Sequence, residues 1–319
     1  MKIRVKEKEE ASKAKVKETN LWKDALYRLM RNRMAIIGGV IVIILCITAI
    51  FAPLVAPYAY DEGNFWNNYA KPGEEYWLGA DFMGRDLLSR IIYGTRVSLS
   101  VGLMGATVSF VIGIAYGLIA GYAGGKVDNY MMRLVDIAYG VPTLLFIILL
   151  MVYFKSSFAS IQPGTLGGML SSIDNALGGM FFIFIGIGIT SWLGMARLAR
   201  GMTLSLKEKE FIETARAMGA SNLRIISRHI LPNIIGPCII SQTLTIPTYI
   251  LYEAFLSFIG LGVNPPTPSW GMMISEGYQG MRSYPHLVLF PALALSITMF
   301  AFNFLGDGLR DALDPHMKL

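Results

Sequence analysis

Reactive side chains are what this sequence has least of: two cysteines and three histidines in 319 residues. Cys46 and Cys238 each sit in an apolar segment, which points to neither a disulfide framework nor a thiolate metal site. His229, His286 and His316 are scattered, so no zinc cluster is expected. No grouped nucleophile, base and metal ligands support a membrane-embedded hydrolase. A G-x-x-x-x-G-K-[ST] phosphate loop is also absent; the nearest fragment, Gly121-Tyr-Ala-Gly-Gly-Lys126, has the wrong spacing. Charge is scarce as well: 16% of residues are charged, against about a quarter in soluble domains. The net charge of +6 and pI near 9.2 do not indicate a nucleic-acid partner, because the basic residues flank apolar segments instead of mixing with aromatics.

Long apolar runs fill the space that charge vacates. The mean hydropathy is +0.49, and no charged residue occurs from Met34 to Tyr60. Roughly 20 apolar residues cross a hydrocarbon layer of about 30 Å, so 34–55 is read as a first transmembrane helix. It follows a long hydrophilic stretch and is therefore read as a retained span, not a cleaved signal. Further spans are expected at Val97–Gly121, Met131–Tyr153, Leu177–Met195, Ile234–Phe255 and Leu287–Leu305. Their many glycines suit close helix approach in lipid. Asp136 complicates the third, and Phe158–Leu170 reads as a short interfacial or re-entrant piece.

Orientation follows the basic residues. Eleven Lys/Arg precede Met34, and seven lie between Ala196 and Ile234, while the loop with Asp61, Glu62, Glu74, Glu75 and Asp81 is acidic. Six spans place both termini and the 196–233 loop in the cytoplasm, with 54–95 outside. Lys2–Lys17 alternates Lys and Glu and reads as a solvent-facing tail. Leu21, Trp22, Ala25, Leu26, Leu29 and Met30 recur at helical spacing, as in an interfacial amphipathic helix over Leu21–Arg33.

Within the basic loop, Phe211, Ala215 and Met218 form one helical stripe. Gly219 is placed to end that helix in a left-handed conformation, and Ser221 to cap a second short helix. Pro232 stops that helix or begins the next span. The residues alone leave two readings: a helical linker lying on the bilayer, or a compact knob that docks a cytoplasmic partner.

Glu213-Thr214-Ala215, Gly219 and Leu231-Pro232 resemble the EAA loop of ABC importer permeases, with Thr214 and His229 departing from the usual pattern. Glu253 to Gly271, including Gly260, Gly262, Pro265, Pro266 and Trp270, is similar to a signature of peptide-importer permeases. So are the segment with Asp81, Gly84, Arg85 and Asp86, and the tail with Asp307, Arg310 and Asp311. Together with the first span and Ala52-Pro-Leu-Val-Ala-Pro57, they resemble the C-type permease subunit of oligopeptide or dipeptide ABC importers over nearly the whole chain.

That resemblance implies an all-α polytopic membrane protein of a bacterial or archaeal cell membrane, with the ABC importer permease fold and about six transmembrane helices. It divides the chain into a cytoplasmic tail and interfacial helix (1–33), the first span (34–55), an extracytoplasmic loop (56–96), a permease core (97–306) holding coupling helices at 205–232, and a cytoplasmic tail (307–319). It implies a second, B-type permease, two cytoplasmic ATPases, an extracytoplasmic peptide-binding protein and peptide cargo. This chain would perform no catalysis and bind no cofactor or metal directly; ATP and Mg would be used by the ATPases.

The same residues have plainer physical readings. Gly260, Gly262, Pro265, Pro266 and Pro268 favour a fixed external turn, which Trp270 would anchor at the membrane surface. Asp307, Arg310 and Asp311 would steady the end of the last span by i,i+3 or i,i+4 pairing. Gly79, Asp81, Gly84, Arg85 and Asp86 would shape a loop. An ion-coupled secondary transporter, with Glu253 and Asp136 as ion sites, is the competing class. Nickel or another small solute is the competing cargo within the ABC class.

Overall fold

The computed structural model describes residues 21–158 and 165–313. Lys2–Lys17 and the last residues of the C-terminal tail lie outside the described residues, as do residues 159–164 of the Phe158–Leu170 piece. Among the described residues five helices are long and apolar enough to cross a membrane, and a bent helix pair brings the number to six when it is counted as one span.

Helix α1 (Leu21–Leu29) turns into α2 (Arg33–Ile50) at Asn32, whose Oδ1 accepts the Met34 and Ala35 N–H groups at 3.1 and 3.2 Å. Ile36, Ile37, Val40, Ile43, Ile44 and Ile47 of α2 are exposed, as a lipid-facing helix requires. A short turn of helix, α3 (Ala52–Val55), follows, and then the loop to α4 (Leu87–Ala123). The next two helices are α5 (Gly125–Tyr139) and α6 (Thr143–Phe158). They are bent by 78° at their junction. The continuous span expected over Met131–Tyr153 is therefore broken. Pro142 has no N–H to continue the helical ladder and pushes Val141 out of the helical region, which places the break at Gly140–Pro142.

After α7 (Leu166–Ala176), α8 (Met180–Lys207) runs well past the expected end at Met195. It is followed by α9 (Glu210–Ala217), α10 (Asn222–Ile225), a π-helical turn (Ile226–Ile230) and α11 (Leu231–Phe258). Helix α12 (Trp270–Tyr278) and the last span, α13 (His286–Leu313), complete the chain.

The most extensive helix crossing joins α4 to α8. Gly113, Gly117 and Gly121 repeat every four residues, so they share one face of α4. A Cβ on Gly117 would stand 2.5 Å from the Ala196 carbonyl and 2.7 Å from the Ala199 Cβ. A Cβ on Gly113 would stand 2.5 Å from the Met195 Cβ, and one on Gly121 would stand 2.9 Å from the Thr203 Cβ. Small residues let the two backbones touch, which is how helices associate where lipid removes most of the hydrophobic drive. Around this crossing lie two apolar clusters. One, with Val101, Ile147, Met151, Ile183 and Ile250, fills the bundle. The other joins Leu118 and Met195 at one end of α4 and α8 to Ile212, Ile225, Ile230 and Ile234.

Gly117→Leu should separate α4 from α8 and cost about 3 kcal/mol or prevent folding. Gly201→Ala, on the same helix as Ala199 but with no neighbour within 4 Å, should leave stability unchanged or raised. Thermal melting of the detergent-solubilised variants measures both.

Candidate functional site

Two groups of side chains stand at opposite ends of the long helices. The first is the segment from α9 to the start of α11. Successive residues of a helix are about 100° apart, so a face centred on Ile212 and Ala215 leaves Phe211, Thr214 and Met218 together on its outer side. Ile212 is fully buried and Ala215 3% exposed, whereas Phe211 is 45% and Met218 78% exposed. The stripe expected from Phe211, Ala215 and Met218 is thus divided: Ala215 packs inward and the two large residues point out. Glu213 and Thr214 are exposed, and the Thr214 hydroxyl donates back to the Glu210 carbonyl at 2.9 Å.

Helix α9 ends where Gly219 takes φ +82°, a conformation that costs a Cβ-bearing residue free energy. The Gly219 and Ala220 N–H groups then close onto the Arg216 and Ala215 carbonyls. Ser221 caps α10, accepting the Arg224 N–H at 3.4 Å. The expected pair of separate short helices is only half present, because α10 continues through the π turn into α11. Pro232 cannot donate to the Arg228 carbonyl, and the Leu231 N–H bonds five residues back to Ile226. The Asn233 side chain donates to the His229 carbonyl at 2.6 Å. Leu231 and Pro232 therefore open the fifth span, and Ile225 and Ile230, both fully buried, fix its base to the bundle.

At the other end, Asp86 is the N-cap of α4, with its Oδ2 accepting the Ser89 N–H at 2.7 Å and the Ser89 hydroxyl at 2.6 Å. Asp81 accepts the N–H groups of Met83 and Arg85, and its other oxygen holds the Arg85 and Arg90 guanidiniums. Arg90 also reaches Glu276 of α12 at 2.7 Å. Gly84 lies at φ +72°, where a Cβ would strike the Asn64 backbone. Arg90, 1% exposed, and Glu276 carry no motif of their own; the only sequence signal for Arg90 is a charge in the first turn of an apolar span.

Beside this cluster, Glu253 is fully buried and accepts the hydroxyls of Ser98 at 3.0 Å and Ser257 at 2.7 Å, with Ser269 adjoining. A carboxylate enclosed by hydroxyls cannot snorkel to the membrane surface as a span-end residue would. Gly260 has φ +83°, and Gly262 presses on Ser257 so closely that no Cβ fits. Pro265 and Pro266 complete the turn through a cis peptide bond. Trp270 does not anchor it at the surface: the ring is fully buried over Gly94 and its Nε1–H donates to the Ile91 carbonyl at 3.2 Å. The cause is α12, which folds back onto α4 and carries the indole inward. The turn is also tied sideways, since Lys155 Nζ donates to the Gly262 carbonyl at 2.6 Å. Nearby, burial pushes the Asp174 carboxyl above its ordinary range, opposed by the Phe182 N–H and Lys155.

The C-terminal trio also differs from expectation. Asp307, Arg310 and Asp311 continue α13 instead of following it, and no ion pair joins them among the described residues. Asp311 instead accepts the Asn32 side-chain N–H at 3.2 Å, tying the first span to the last.

Residues 113–319 match the family described as binding-protein-dependent transport system inner membrane component, and 20–72 match the N-terminal TM domain of oligopeptide transport permease C. The chain belongs to this family of transport permeases. It is 40% identical over 309 residues to the oligopeptide transport system permease protein OppC of Bacillus subtilis, covering 97% of this chain and 94% of that one. It is 42% identical over 307 residues to OppC of Escherichia coli K12, with 96% and 94% covered. The dipeptide permease DppC of Bacillus subtilis is 38% identical over 310 residues, with 97% and 90% covered. An inward-facing structure of the MetNI methionine ABC transporter shares the fold, with a TM-score of 0.55 at 19% identity, over 72% of this chain and 98% of that one. With its apolar helices, the permease is a multi-pass inner membrane protein.

Neutralising Asp81 would leave two buried guanidiniums of this permease sharing Glu276 alone. Asp81→Ala should therefore destabilise it by about 3–5 kcal/mol. Glu253→Gln, which keeps hydrogen-bonding groups among the serines, should cost less than half of that. Melting temperatures of both variants, measured side by side, test the ranking.

Proposed function

We propose that this chain is the C-type permease subunit of an ATP-driven importer that carries oligopeptides or dipeptides into the cytoplasm by alternating access. The observation that carries this reading is the outward stripe Phe211–Thr214–Met218, held on an element whose inner face is locked into the bundle. An exposed apolar stripe on a rigid support suits insertion into a groove on a partner protein. The partners are two cytoplasmic ATPases, a B-type permease and an extracytoplasmic peptide-binding protein; ATP and Mg belong to the ATPases, and this chain breaks no bonds. Peptide cargo rests on the names of the relatives. The enclosure of Glu253 by hydroxyls favours a structural or gating role over ion carriage.

The proposed topology puts both termini and residues 208–230 in the cytoplasm and the Asp81–Glu276 cluster outside. Cysteines at exposed positions 75 and 214 report on it in intact cells: the first should react with an impermeant maleimide and the second should not. Equal labelling would contradict the topology.

Docking has its own test. Phe211→Ser with Met218→Ser should lower ATPase co-purification about tenfold at normal membrane abundance, because two exposed anchors are lost. Gly219→Val should do the same by forcing φ away from +82°. Ala215→Asp should act in another way, since a buried carboxylate there destabilises the permease itself. ATP-dependent peptide uptake by the reconstituted complex should vanish when the ATPases are omitted. Uptake driven by an ion gradient with this chain alone would favour the secondary transporter, and transport of nickel or another solute in place of peptide would reassign the cargo.

A further inference from the structure

Helices α5 and α8 form a basic cleft that neither the coupling segment nor the external cluster uses. Its volume is about 740 Å³, and it is lined by Asn129, Tyr130, Arg133, Asp136, Arg197 and Arg200, with Met132 at its wall. Arg200 holds Asp128 through two hydrogen bonds, 2.5 Å from Nε and 2.6 Å from Nη2. Arg197 pairs with Asp136 at 2.8 Å and stacks on the Tyr139 ring, 3.9 Å from its centroid. Arg133 is exposed and has no ion pair among the described residues. Three guanidiniums thus face two carboxylates, leaving one positive charge unmatched. Two of the guanidiniums are fixed in place by their partners.

The surroundings say what sort of anion fits. Helix α5 is bent by 78° from α6. If α6, of 16 residues, stands across the bilayer over about 24 Å, α5 lies close to the plane of the membrane surface. Its sequence suits that position. Val127, Tyr130, Leu134 and Ile137 are 48%, 75%, 63% and 65% exposed and fall within about 80° of one another on the helix, next to Arg133. An apolar stripe bordering a basic cleft offers acyl chains and a phosphate headgroup their two surfaces at once. Basic pockets between transmembrane helices on the cytoplasmic side are where anionic headgroups bind. A guanidinium fork matches a phosphodiester better than an ammonium does.

We propose that the α5–α8 cleft binds the headgroup of an anionic phospholipid, with Arg133 as the free cation and the α5 stripe against the acyl chains. The lipid would hold α5 against α8 at the break in the third span, making the setting of that break dependent on membrane composition. The site rests on the topology proposed above. Lipid binding is nevertheless read without regard to sidedness, so failure here is distinct from failure of the cysteine labelling.

The test uses the permease with its co-purifying subunits in nanodiscs of phosphatidylcholine, with or without phosphatidylglycerol, and counts retained lipids by native mass spectrometry. The wild type should retain phosphatidylglycerol in preference to phosphatidylcholine. Arg133→Gln should lower that retention about fivefold, the expected contribution of one basic residue at a charged membrane surface. Arg133→Lys, which keeps the charge but loses the fork, should fall between the wild type and Arg133→Gln. Equal retention of the two lipids would overturn the proposal, as would identical behaviour of the Gln and Lys variants. Displacement of the lipid by excess inorganic phosphate would make the cleft a free-anion site. Loss of a co-purifying subunit from Arg133→Gln at unchanged lipid retention would assign the cleft to a protein contact.

Discussion

The contact of α4 with α8 governs the rest of the structure. Where Gly117 meets Ala196 and Ala199, nothing larger than the Ala199 methyl group lies between the backbones. Everything else is built out from that pair. One end carries Leu118 and Met195, the residues on which Ile212, Ile225 and Ile230 seat the segment from α9 to α11. The opposite end carries Asp86, Arg90 and Ser98, which fasten the start of α4, α12 and Glu253. A close-packed interior is stiff over such distances, so displacement at one end is delivered to the other instead of being absorbed between them.

The unbroken passage from α10 into α11 gives that stiffness a direction. A knob joined to the bundle by a flexible linker would swing freely, and movement of a bound ATPase would be lost in the linker. Here the π turn keeps a helical path while letting the chain accommodate Pro232, and the Asn233 side chain takes up the carbonyl at the turn. Rotation of α9 is thus coupled to the fifth span, which stays one continuous helix through its own prolines, Pro237 and Pro247. At the far end of that span sits Glu253, satisfied by serines from α4, from α11 itself and from the turn before α12. Three elements thus meet on one buried carboxylate.

Much of this was legible in the sequence, for reasons that differ residue by residue. Gly219 and Ser221 announce their turn because local backbone chemistry fixes it: a left-handed residue and a cap need no tertiary context. The apolar runs announce spans because lipid tolerates little else. The break at Pro142 was available in principle, but an uninterrupted apolar run masks it until the backbone is traced. Trp270 misled because an aromatic beside a turn is common at membrane interfaces, whereas here tertiary folding of α12 carries it inside. The outward sense of Phe211 and Met218 was hidden for a similar reason, as periodicity gives a stripe without saying which flank the bundle covers. Arg90 and Glu276 lie far apart in the chain, and only the fold brings them together.

The central claim is that the coupling segment and the fifth span form one rigid lever driven by the ATPases. Pulsed electron spin resonance tests it with spin labels at exposed positions 218 and 251 of the assembled complex, comparing nucleotide-free and ATP-bound states. The account predicts that the 218-to-251 distance within this chain stays constant, while the distance from 218 to a label on the partner permease changes between the states. A 218-to-251 distance that shifts with nucleotide, with the distance to the partner unchanged, would contradict it.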